Sequence, residues 1–96
     1  MTNGTAPTTA KRCVTILNKL GLHARAAAKF VKIAEEFRCQ ISVSKDGETV
    51  SGRSIMGLMM LAATPGSIIQ LAAHGADATE AVDLIAKLIE RKFDED

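Results

Sequence analysis

The run GLHARAAA, residues 21–28, sets an imidazole and a guanidinium two positions apart where a strand pattern gives way to a helical one. Position gives His23 its chemical meaning. At a helix N-terminus the first backbone N–H groups have no intrahelical acceptor and the dipole is positive, so an anion there is stabilised by about 0.3–1 kcal/mol. The same field disfavours a protonated imidazole. A neutral ring can use one nitrogen as a nucleophile, and a phosphoryl group accepted there would land among the backbone donors of Ala24 and Arg25. The Arg25 side chain adds a planar guanidinium that matches phosphate oxygens. The plain alternative makes His23 an ordinary first-turn residue and Arg25 a solvated charge, and spacing alone leaves both open.

A second run, RSIMGLMML, covers residues 53–61. Ser54 is a good N-cap residue for a short helix over Ile55 to Ala63, which contains no breaker except Gly57. Such a helix is apolar nearly all round and cannot bury every side against one sheet. Ile55, Met56 and Met59 are therefore assigned to an exposed partner-docking surface, methionine being able to adapt to several shapes. Leu58 and Leu61 are assigned to the core; burial of all five is the bland alternative. His74 lies at a strand end without a partner in sequence and reads as a surface histidine. Cys13 and Cys39 form no CxxC pair and, with two distant histidines, offer no metal-ligand spacing. They read as reduced structural thiols, and neither a metal nor a cofactor is implied.

Elements that would position these residues follow from hydrophobic periodicity. Residues 1–10 carry no apolar period and are predicted to form a flexible N-terminal tail, ahead of a domain over 11–93 and an acidic end at 94–96. RCVTILN alternates, with Val14 and Ile16 opposite Thr15, as a half-buried strand does. AAAKFVKIAEEF, residues 26–37, aligns Ala27, Phe30, Val31, Ala34 and Phe37 on one helical stripe. QISVSKDGETVSG reads as a hairpin turning at Asp46-Gly47. Pro65-Gly66 ends the short helix, and SIIQLAA alternates through Ile69, Leu71 and Ala73. Asp77 and Glu80 have capping-box spacing before a last helix with Ala78, Ala81, Val82, Ile85, Leu88 and Ile89 on its stripe. The order βαββαβα predicts an α+β open-faced sandwich, a four-stranded antiparallel sheet with three helices on one face.

Composition excludes several functions. Ninety-six residues make one domain, and 47% hydrophobic with 24% charged residues is a globular balance. Twelve Lys plus Arg against eleven Asp plus Glu leave a net charge of +1, and a 3% aromatic share without Trp or Tyr supplies no base-stacking platform. Nucleic acid is not a predicted partner. The longest nearly apolar stretch, Ile55 to Ala63, is about half of what a bilayer requires, so no membrane insertion is predicted and the protein is read as cytoplasmic.

Both runs resemble the signatures of the histidine-containing phosphocarrier (HPr) family of the bacterial phosphoenolpyruvate-dependent phosphotransferase system. Gly21, Leu22, His23, Ala24 and Arg25 match the first, and Arg53, Ser54 and Ile55 through Leu61 match the second. His23 and Ser54 stand 31 residues apart, which is also the family's spacing. The resemblance covers roughly residues 11 to 92, and the family's usual Pro after the Arg is here Ala26. It implies a carrier, not an enzyme, that takes a phosphoryl group on Nδ1 of His23 from enzyme I and passes it to a IIA-type protein. It further implies that Ser54 is the target of HPr kinase/phosphorylase, added charge there weakening contact with enzyme I, and that the protein is a monomer. The rival is a regulatory protein-binding module of the same fold, controlled by phosphorylation and not mainly a relay. The closing FDED is similar to carriers of the nitrogen-related branch, whereas sugar uptake is the commoner role.

Overall fold

The first strand reaches further upstream than its apolar residues do. In the computed structural model, which describes residues 8–95, β1 spans Thr8–Thr15, and Thr8, Thr9 and Ala10 pair with Gly75, His74 and Ala73 of the strand Ile68–Gly75, labelled β4 once the strands between are counted. The tail predicted over 1–10 is thus corrected at its last three residues; 1–7, like Asp96, lie outside the described residues. An edge strand needs backbone partners more than apolar side chains, which is why hydrophobic alternation underestimated its length. The pairing also gives His74 a partner: its Nδ1 lies 2.8 Å from the Thr9 hydroxyl.

The helix α1 follows at Ala24–Ala34, then β2 (Cys39–Lys45), β3 (Glu48–Ser51), α2 (Ile55–Met60), β4 and α3 (Ala78–Glu90). Neighbours in the sheet are all antiparallel, in the order β1-β4-β2-β3. Val14, Ile41, Val43, Ile69, Leu71 and Ala73 point to one face and join the buried stripes of all three helices in a single cluster. The opposite face carries Thr, Ser and Gln side chains and stays open, as the period of two predicts. Burying a side chain the size of Phe30 or Ile85 contributes about 1.5–3 kcal/mol, so this cluster holds the helices on the sheet.

Two helix ends differ from the sequence expectation. α1 stops at Ala34 and not at Phe37: the next N–H groups, of Glu36 and Phe37, bond three residues back in tighter turns, and the Arg53 guanidinium takes up the carbonyls of Ala34 (2.9 Å) and Phe37 (2.8 Å) from outside the helix's own sequence. At α3 the capping box does not form. The Asp77 carboxylate accepts the Arg38 N–H at 2.8 Å, joining the start of α3 to the loop before β2.

After α3 the chain reverses. Lys92–Asp94 form one 3₁₀ turn in which all three residues have positive φ, 59°, 56° and 60°. Left-handed backbone costs a non-glycine residue on the order of 1 kcal/mol, so tertiary contacts must hold the turn. Phe93 supplies the largest, being fully buried in the main cluster.

Candidate functional site

His23 occupies the N-cap of α1 with extended backbone (φ −80°, ψ 178°). Its carbonyl already accepts the Ala27 N–H at 2.9 Å, while its side chain caps nothing. Among the described residues the N–H groups of Ala24 and Arg25 have no backbone acceptor, as expected of a first helical turn. Gly21 makes this entry possible. It sits at φ 66°, and a Cβ there would lie 2.2 Å from the Ala63 carbonyl oxygen, to which Leu22 donates at 2.9 Å.

The ring is not free at its far side. Nε2 lies 2.5 Å from Oε2 of Glu95, brought back by the left-handed turn, and the two side chains are 25% and 19% exposed. The other oxygen of Glu95 accepts from Asn18 Nδ2 at 3.0 Å, and the same amide donates to the Gly21 carbonyl at 2.8 Å. Asn18 is fully buried, and among the described residues its Oδ1 has no hydrogen-bond partner. Lys29, one turn along α1, donates to the Phe93 carbonyl at 2.6 Å. Burial works to raise the Glu95 carboxyl, but the hydrogen bonds from Asn18 and His23, with the charges of His23 and Lys29, hold it below the ordinary glutamate range.

Lys19, Leu20, Arg25 and Lys29 rim a shallow open depression around His23 and Glu95. Arg25 is exposed and makes no side-chain hydrogen bond among the described residues, so its guanidinium can turn to an incoming anion. Ala26, in place of the family's Pro, is fully buried. The arrangement combines an imidazole, backbone donors and three cations, with Asp94 and Glu95, around one helix start. It suits transient anion binding and in-line transfer to a ring nitrogen. Among the described residues no cluster has the composition of a metal site, and no helix is long and apolar enough to cross a membrane.

Ser54 caps α2 as expected, its Oγ accepting the Gly57 N–H at 2.9 Å. Ile55, Met56 and Met59 are exposed, while Leu58 and Leu61 are in the core. Met60, Leu17, Leu20 and Ile68 are exposed too and were not singled out in the sequence. Because α2 packs against α1, the two runs share one side of the molecule. Asn18, Lys29 and Glu95 were missed altogether. One signal existed for Asn18: it falls at the spacing of two set by Val14 and Ile16, so a buried polar group was legible there.

Comparison with known proteins bears on the same residues. A family model described as "PTS HPr component phosphorylation site" matches residues 10–91. The chain is 48% identical over 85 residues to the phosphocarrier protein HPr of Neisseria meningitidis, covering 88% of this chain and 96% of that protein. It is 46% identical over 85 residues to the phosphocarrier protein NPr of Shewanella violacea, covering 88% and 93%. Among solved structures, HPr-C-His from Thermoanaerobacter tengcongensis superposes with a TM-score of 0.87 at 45% identity, over 91% of this chain and 98% of the other.

Proposed function

The chain belongs to the HPr family of phosphotransferase-system phosphocarriers, and from that premise we propose that His23 accepts a phosphoryl group on Nδ1 from enzyme I and hands it to a IIA-type protein. One observation carries the proposal: His23 stands at the N-cap of α1 beside first-turn N–H groups that have no backbone acceptor among the described residues. Those donors and Arg25 stabilise charge on the transferring group, while the partner protein supplies the second histidine and the alignment. Incubation with enzyme I and phosphoenolpyruvate should give an acid-labile adduct that is lost in His23→Ala. Wild-type protein that stays unmodified would overturn the relay.

Ser54 carries the regulatory half of the reading. A phosphate on its Oγ would keep the Gly57 N–H as a donor and sit at the positive end of α2, so the fold should survive modification. The new charge would lie beside Ile55, Met56 and Met59, where an apolar partner surface must be desolvated. HPr kinase/phosphorylase is expected to place an acid-stable phosphate on wild type and none on Ser54→Ala. Label persisting in that variant would move the site elsewhere.

A further inference from the structure

We propose that Glu95 is a positioning residue for phosphoryl transfer: the left-handed C-terminal turn delivers its carboxylate to Nε2 of His23, and this contact presents Nδ1 to the incoming phosphorus. The assignment rests on reading His23 as the acceptor. Three features that local sequence disfavours meet on this one contact. Three consecutive non-glycine residues adopt positive φ to turn the chain back. A fully buried asparagine, whose Oδ1 has no partner among the described residues, reaches both Glu95 and the Gly21 carbonyl with its amide. The Lys29 ammonium is spent on the Phe93 carbonyl. Both groups facing the Asn18 amide are acceptors, so the amide cannot be flipped, and the carboxylate it holds is fixed in place.

The chemistry gives this placement a use. With the Nε2 proton donated to Glu95, the neutral ring keeps its lone pair on Nδ1, the nitrogen nearer the backbone in a histidine side chain and so nearer the first-turn amides. Attack by Nδ1 forms the new N–P bond as the donor's P–N bond breaks, and the broken bond's electron pair returns to the donor's ring. Positive charge develops on the His23 ring. The carboxylate offsets it while the Nε2 proton stays on the ring. On donation the sequence reverses, and the retained proton makes the imidazole the better leaving group. Lys19, Arg25 and Lys29 line the same depression, and Asp94 is tied to Arg91 at 2.9 Å, which among the described residues leaves Glu95 as the carboxylate in contact with the ring.

Phosphoramidate, a small phosphoryl donor that needs no protein partner, tests the assignment, with the adduct isomer identified by phosphorus and nitrogen NMR. Wild type is expected to form the Nδ1 adduct alone. Glu95→Ala should form a mixture that includes the Nε2 adduct, and its transfer from phosphorylated enzyme I should slow by about tenfold. Glu95→Gln, which keeps an acceptor oxygen without charge, should retain the Nδ1 isomer and still transfer slowly. An Nε2–H resonance shifted far downfield in wild type and absent in Glu95→Ala shows the contact directly and separates its loss from misfolding. Wild type giving the Nε2 adduct, or Glu95→Ala giving only Nδ1 at the wild-type rate, overturns the proposal. Wild type labelled on Nδ1 by phosphoramidate but never by enzyme I overturns the relay and leaves the role of Glu95 intact.

Discussion

At Gly21 two demands coincide, a positive φ and an approach to the Ala63 carbonyl that no side chain tolerates. Together they place Leu22 in the core and His23 at the start of α1. Gly21→Ala is expected to destabilise the fold by about 2 kcal/mol, seen as a lower denaturation midpoint with an unchanged slope, and to slow His23 phosphorylation as the ring shifts. Full stability in that variant would show that Ala63 can yield. At this scale the sequence was informative for the positions of His23, Arg25 and Ser54, each set by its place at a helix start. It was blind to Glu95, because the contact spans 72 residues and no periodicity reports it.

Between elements, Arg53 does what neither helix can do for itself. It stands next to the N-cap of α2, yet its guanidinium closes the C-terminus of α1. Arg53→Met keeps the apolar stem and removes both hydrogen bonds, and a loss of about 1–3 kcal/mol is expected. Amide exchange should quicken in the last turn of α1 while the His23 end keeps its protection. Uniform quickening along α1 would instead mean that the helix melts as one unit. The stripe of Ala27, Phe30, Val31 and Ala34 was readable, and so was the cap at Ser54. The end of α1 was not, because AEEF continues the apolar period while the chain tightens into turns whose last carbonyls are taken up by a distant arginine. The same holds for Asp77, whose spacing to Glu80 suggested a local cap but whose carboxylate was taken by Arg38.

For the molecule as a whole, the C-terminal strap links stability to pH. The folded Glu95 carboxyl lies below its ordinary value: burial works to raise it, but the hydrogen bonds from Asn18 and His23 and the charges of His23 and Lys29 outweigh that. Its contribution is therefore complete above the ordinary glutamate value of 4.5 and is lost as pH falls through the lower folded value. Amide protection at Phe93 should fall across that acid range in wild type and vary less in Glu95→Gln. Equal acid sensitivity in both would assign the effect to another carboxylate. From sequence alone came the order of elements, the sheet's apolar face, the histidine at the start of α1 and the capped serine, since each depends on residues within a few positions of one another. Only the tertiary structure decided that the acidic end closes over that histidine. A buried Phe93, a lysine on α1 and an asparagine after β1 stabilise a left-handed turn that no neighbouring residue would favour, and such a balance exists only once the chain is folded.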